Sequence, residues 1–310
     1  MKLKLKHFAL ILLFAAGYMA CRRDKVEPDI KAYDQQQIQN YIAANGITGM
    51  VKDTSGGDTT GIWYKIITPG SGTALDYPDS INYVYTLKTF DNKYNVSDTI
   101  LNHVDGLLGH VAPNGLMLAM HNDLKYRGTK MRVLIPSHLA YGVNGAGSGS
   151  STVTNGRIGG NECLDYTINE VNNQAAYDEM VIINYMKANN LSGYTETADG
   201  LWYKITKVPT GFNTININSS VTANYIGTLM NNTGFDTLYH TASTYTFVDL
   251  INLTPGFREG LLILGKGGSA ISMIIPSRLA YGPSAESGLV TIPANSCLRF
   301  DVTVTDVVTF

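Results

Sequence analysis

Cysteine is scarce: of 310 residues only Cys21, Cys163 and Cys297 carry a thiol, so no disulfide framework organises this chain. Charge is thin as well, at 15% of residues. With 23 Lys and Arg against 25 Asp and Glu there is no basic field to hold nucleic acid. Beyond the first segment no apolar run reaches the roughly 18 residues that a membrane span needs. What the chain does have is 44% hydrophobic residues, enough for proper cores and for two ordinary domains. Its 31 Gly and 19 Tyr, with many Asn and Thr, favour strands and tight turns over long helices.

The first segment reads as a targeting signal. Lys2, Lys4 and Lys6 precede an apolar stretch from Phe8 to Ala16, and a small-residue site ends at Ala20-Cys21. A Cys in that place resembles the lipobox of bacterial lipoproteins, in which the first mature residue takes a diacylglycerol. Residues 1–20 are thus expected to be removed and 21–31 to form a lipidated tether. Losing three Lys leaves 20 basic against 25 acidic residues, a net charge of −5.

An internal repeat organises the remainder. Ala32-Tyr33-Asp34 to Asn45 returns as Ala176-Tyr177-Asp178 to Asn189. Gly61-Ile62-Trp63-Tyr64-Lys65-Ile66 returns as Gly200-Leu201-Trp202-Tyr203-Lys204-Ile205. Ile135-Pro136-Ser137-His138-Leu139-Ala140-Tyr141-Gly142 returns as Ile275-Pro276-Ser277-Arg278-Leu279-Ala280-Tyr281-Gly282. The order is kept while the spacing drifts by a few residues, as loop insertions would produce. Two domains are expected, 32–172 and 173–310, with Cys163 and Cys297 at equivalent positions, each a small apolar residue of its own domain.

Each copy opens with a helix signal. Asp34 with Gln37 has capping-box spacing, and Asn45-Gly46 supplies a stop; Asp178 and Asn189-Asn190 mark the second. Strands are predicted over 62–67, 201–205, 221–229, 270–275 and 298–304. Thr254 as N-cap, Pro255 at the first helical position and Gly265 as the stop predict a further helix. The stretch 144–160 reads as a long flexible loop.

In order along the second copy stand Asn224-Tyr225-Ile226-Gly227, Gly234-Phe235-Asp236-Thr237, Pro255-Gly256-Phe257-Arg258-Glu259-Gly260, Leu279-Ala280-Tyr281-Gly282 and Leu298-Arg299-Phe300-Asp301-Val302. Through these segments it resembles the FKBP family of peptidyl-prolyl cis-trans isomerases over roughly 200–307. The resemblance implies an α+β fold, a bent antiparallel sheet wrapped around one short helix, once in each copy. It implies a pocket with Tyr225, Phe235 and Phe300 as walls and Phe257 as floor. Phe247, Leu253, Thr254 and Ile292 complete the substrate-binding surface. Tyr281 and the Thr254 N–H would donate to substrate carbonyls, and Asp236 would orient the Tyr225 hydroxyl.

Rotation about an X-Pro bond faces about 18 to 20 kcal/mol of amide resonance, and no bond breaks. An apolar aromatic pocket disfavours the polar planar amide relative to the twisted one, so neither cofactor nor metal is implied. The implied partners are proline-containing polypeptides, a membrane reached through the lipid, and the macrolide inhibitors of the family. The implied role is folding of exported proteins in the cell envelope, as an outer-membrane lipoprotein facing the periplasm or the cell surface. The family commonly has Trp where Phe257 stands and Val-Ile where Leu253-Thr254 stands.

The first copy departs further. Tyr85, Tyr141, Ile158 and Tyr166 match pocket positions and Asp98 aligns with Asp236, but Ser97, Leu116 and Gly159 replace the wall Phe, the floor aromatic and a Pro. It is expected to be degenerate. Two rivals are a non-catalytic peptide-binding lipoprotein and a structural tandem β-sandwich. The helix signalled at Thr254 inside a strand series argues against the sandwich. The spacing Gly260 to Lys266 mimics a phosphate loop, yet its Leu-Leu-Ile-Leu interior could not cradle a phosphate.

Overall fold

A computed structural model describes residues 29–310 except 56, 58, 59, 238–244, 288 and 289. The targeting segment and Cys21 lie outside the described residues. The repeat becomes two seven-stranded antiparallel sheets of identical order. In the first, β1 (Val51–Lys52), β2 (Trp63–Thr68), β3 (Ser80–Thr89), β4 (Asn95–Val96), β5 (His103–Leu107), β6 (Lys130–Ile135) and β7 (Leu164–Glu170) run in the order β1-β2-β6-β7-β3-β4, with β5 also on β3. In the second, β8 (Thr195–Glu196), β9 (Trp202–Lys207), β10 (Ser220–Leu229), β11 (Gly234–Thr237), β12 (Tyr245–Phe247), β13 (Ser269–Ile275) and β14 (Leu298–Val308) run β8-β9-β13-β14-β10-β11, with β12 on β10. The α+β class and the doubling agree with the expectation.

Each domain opens with a 15-residue helix, α1 (Ile30–Ala44) and α3 (Gln174–Ala188). Here the capping-box reading is corrected. The N-caps are Asp29 and Asn173, and Asp34 and Asp178 stand inside their helices, almost fully buried. Asp34 accepts from the Ser137 hydroxyl at 2.7 Å and the His138 N–H at 3.1 Å. Asp178 accepts from both the N–H and the hydroxyl of Ser277. A carboxylate that ties down a distant turn needs burial, whereas a cap needs an exposed helix end. The pattern of residues is the same in both cases.

The sheets wrap α2 (Asn114–Ala119) in the first domain and α4 (Pro255–Leu264) in the second. The latter bears out the predicted start, with Pro255 after the N-cap Thr254, and ends on Gly265 at φ 74°. Gly115 and Gly256 open these helices for the same reason: a Cβ at either would run into Ile135 or Ile275, and into Leu139 or Leu279. Those parallel contacts pair α2 with α4 residue by residue. The stretch 144–160, expected to be flexible, is crossed by an Ala146–Ile158 bridge whose counterpart is Glu286–Ile292.

The domains touch through the segment 98–105. Asn231 Nδ2 donates to Asp98 Oδ2 at 2.6 Å, and Asn295 Nδ2 to Asp105 Oδ2 at 3.1 Å. The His103 ring meets Tyr177 of α3 edge-on at 5.6 Å, and Ile100 packs on the second domain's core.

Candidate functional site

In the second domain, β10, β11, β12, β14 and α4 deliver five aromatic rings to one place. Phe257, held on α4, lies 4.9 Å from Phe300 at 83° and 5.3 Å from Phe247. Phe235 meets Phe300 edge-on at 5.5 Å. Tyr225 completes the group at 5.6 to 6.1 Å from Phe247, Phe257 and Phe300. Such tilted and edge-to-face pairs are the favoured geometry of quadrupolar rings. All four Phe are buried, as is Ile292, and Leu253 packs against the same cluster.

The polar features sit at the margin of this hydrocarbon. Tyr225 donates its hydroxyl proton to Asp236 Oδ2 at 2.7 Å. Burial, and then that bond, raise the phenol well above its ordinary pKa, so it stays protonated. Tyr281 is 38% exposed, directly after the turn Ser277–Leu279, and burial chiefly, with the Glu286 and Asp236 charges, also pushes its phenol up. At Thr254 the carbonyl accepts from Arg258 N–H at 3.0 Å. Its own N–H has no partner among the described residues, as befits a group just outside the first helical turn. The structure thus brings Tyr225, Phe235, Phe247, Leu253, Phe257, Ile292 and Phe300 into one cluster with Asp236 bonded at its edge, Thr254 capping the helix that carries Phe257 and Tyr281 half-exposed.

Gly227 explains how Phe235 fits, and sequence reasoning passed over its role. A Cβ there would stand 2.7 Å from the Phe235 ring and 3.0 Å from Phe300. Gly227 pairs with Phe300 across the sheet just as Leu87 pairs with Tyr166 in the first domain, so Leu87 occupies the space of the missing wall.

Register corrects the alignment of the first copy in further places. Leu87 pairs with Val96 where Gly227 pairs with Asp236, so Val96, not Asp98, stands in the place of Asp236. Asp98 is turned to the other domain. Ile81 pairs with Gly106 where Val221 pairs with Phe247, which removes another ring. Pro113 caps α2 where Thr254 caps α4, and a proline has no N–H to offer. Leu116 follows Gly115 as Phe257 follows Gly256, so the loss of the floor ring stands.

The family match falls on the second domain. Residues 212–305 match the family described as FKBP-type peptidyl-prolyl cis-trans isomerase. The chain is similar to the FKBP-type peptidyl-prolyl cis-trans isomerase FkpA of Buchnera aphidicola (Schizaphis graminum), 37% identical over 124 residues, 40% of this chain and 47% of that protein. It is similar to FkpA of Escherichia coli K12, 36% identical over 115 residues, 37% of this chain and 40% of that protein. The crystal structure of FkpA from Escherichia coli superposes with a TM-score of 0.37 at 32% identity, covering 43% of this chain and 60% of that one. The chain therefore spans less than half the length of either curated relative. Residues 212–305 of the C-terminal domain, folded as a bent sheet around one helix, thus match the FKBP-type peptidyl-prolyl cis-trans isomerase family.

Proposed function

We propose that the C-terminal domain isomerises X-Pro bonds in exported polypeptides and that the N-terminal domain lacks this activity. The observation that carries the reading is the closed set of rings around Phe257 and Phe300, with the Tyr225–Asp236 hydrogen bond at its edge. Phe257 is the floor under the proline ring, and Tyr225, Phe235 and Phe300 are the walls. The free N–H of Thr254 and the Tyr281 hydroxyl hold substrate carbonyls, while Phe247, Leu253 and Ile292 exclude water. The rings desolvate the amide, which favours the twisted form without any bond breaking. Asp236, through the bond to Tyr225, fixes that phenol and biases the field at the rotating carbonyl. The same pocket accepts the family's macrolide inhibitors.

A protease-coupled assay with a Leu-Pro tetrapeptide tests this on the full chain. Phe300→Ala is expected to lower kcat/KM at least tenfold, about 1.4 kcal/mol of barrier, and to abolish macrolide inhibition while far-ultraviolet circular dichroism persists. Equal activity in variant and wild type would remove the C-terminal pocket from the reaction.

The place of action follows from the targeting segment. Cys21 carries the lipid and the domains act in the cell envelope, at the outer membrane. One acyl chain binds a bilayer only marginally, so the several chains of a mature lipoprotein are required. Cys21→Ala is expected to move the protein from the membrane to the soluble fraction on cell fractionation.

A further inference from the structure

The first domain has lost its wall and floor rings, yet it does not close up. Between β3, β4, β5, β7 and α2 lies a cavity of about 280 Å³. Its lining holds five tyrosines, Tyr83, Tyr85, Tyr94, Tyr141 and Tyr166, together with Asn102, over an aliphatic base that includes Leu116. Among the described residues no charged side chain lines it. Two further replacements bring hydroxyls to its wall. Tyr83 stands where the buried Ala223 stands in the second domain, and Tyr166 adds a hydroxyl where Phe300 has none.

Polar groups in a cavity set what can fill it. The Tyr141 and Tyr166 hydroxyls are close enough to influence one another's ionisation. Among the described residues no side-chain hydrogen bond engages the hydroxyls of Tyr83, Tyr85 or Tyr94. The Asn102 Nδ2 group is buried with no partner among the described residues. Left dry, the Asn102 group costs roughly 1–3 kcal/mol, and an occupant that answers it can also bond the tyrosyl hydroxyls around it. A prolyl segment offers a hydrocarbon ring and two carbonyls, too few for this set. Here it would also find Pro113 without an N–H and Val96 in place of the acid. A charged ligand finds no counter-charge, and burial keeps Tyr83, Tyr85, Tyr141 and Tyr166 protonated and neutral. An uncharged ring with hydroxyls around its edge and C–H groups on its faces matches both the phenols and the aliphatic base. The volume, near the lower end of ligand pockets at about 300 Å³ and upward, suits one such ring.

We propose that the tyrosine-lined cavity of the N-terminal domain is a binding site for a neutral pyranose sugar, independent of the isomerase pocket. The tyrosyl hydroxyls and Asn102 Nδ2 bond the sugar oxygens, and the phenol rings and Leu116 cover its C–H face.

Saturation-transfer NMR on the full chain tests it, with glucose, galactose and N-acetylglucosamine offered one at a time as probes. At least one is expected to receive saturation, to be unaffected by Phe300→Ala, and to bind at least fivefold more weakly to Tyr85→Phe/Tyr94→Phe, which removes two oxygens and keeps both rings. Ala146→Trp, which adds a bulky ring to the cavity lining without removing a hydroxyl, is expected to abolish the signal and serves should the double variant fail to give a cooperative melt. No transfer to any of the three sugars, or transfer that survives Ala146→Trp, or transfer lost with Phe300→Ala, would overturn the proposal. None of these outcomes bears on isomerase activity, which is read separately.

Discussion

Asp236 and Tyr225 illustrate how little polar chemistry the C-terminal site contains. Their 2.7 Å bond is a single charge-assisted contact at the edge of a hydrocarbon pocket. If Asp236 works through the phenol, Tyr225→Phe and Asp236→Asn should each lower kcat/KM several-fold, and the double variant should be scarcely worse than either, since coupled residues are non-additive. Additive losses would show two separate roles. Because the Tyr225 phenol is pushed up from its ordinary value, mainly by burial, it keeps its proton across the neutral range. The rate should therefore stay flat from about pH 6 to 9, as a Tyr with the usual pKa of about 10 already predicts and a raised one strengthens. The rings around them were legible in the sequence because an ordered series of aromatics survives as a pattern. The unpartnered N–H of Thr254 was implied by family resemblance alone, since no residue type announces a free backbone donor.

At the scale of elements, the difference between the two pockets is written in strand register. Gly227 on β10 leaves room for Phe235 on β11, and Leu87 on β3 does not. Gly227→Leu should therefore expel the Phe235 ring. Isomerase kcat/KM is expected to fall at least tenfold, with the cooperative melt retained because the atoms met are the far ends of the Phe235 and Phe300 rings and no backbone. A variant with unchanged kcat/KM would show that the wall ring is dispensable. The strands β2, β9, β10, β13 and β14 were foreseeable from alternation, and α4 from Thr254-Pro255 followed by Gly265. The helix α2 carried no such punctuation, and Asp34 was misread as a cap because spacing along a chain cannot distinguish a carboxylate at a helix end from one buried against a turn a hundred residues away. The alignment of Asp98 with Asp236 failed for a related reason: a gap of one or two residues in a hairpin is invisible until the hydrogen-bonded partners are known.

At the scale of the whole molecule, one short segment serves both domains. Successive side chains of β5 alternate, so Val104 lines the first domain's cavity while His103 and Asp105 face the second domain. His103 is 8% exposed, and burial lowers its pKa from 6.5 to about 4. A depressed histidine means that the unfolded chain takes up the proton first. Its contribution is therefore neutral above pH 6.5, and stability is lost as pH falls from there towards 4. A shift of that size corresponds to roughly 3 kcal/mol at most. Thermal melts at pH 7 and 4.5 should show a larger drop in Tm for the wild type than for His103→Gln. Asp98 and Asp105 at the same interface are common to both proteins and cancel in that comparison. An equal drop in both would place the acid sensitivity elsewhere.

The sequence by itself determined the doubling of the fold and several of its elements, while the aromatic set of the C-terminal site came from residues standing in a known family's order. Each of these is carried by local periodicity or by residues recurring in order, and local energetics favours the same element wherever the pattern recurs. Only the tertiary structure decided that Val96 stands opposite Leu87, that Asp98 and Asp105 dock the domains, and that Tyr83, Tyr94 and Asn102 close a cavity with Tyr85, Tyr141 and Tyr166. Those relations join residues from separate strands through register and close packing, and neither is a property of any stretch of chain taken alone.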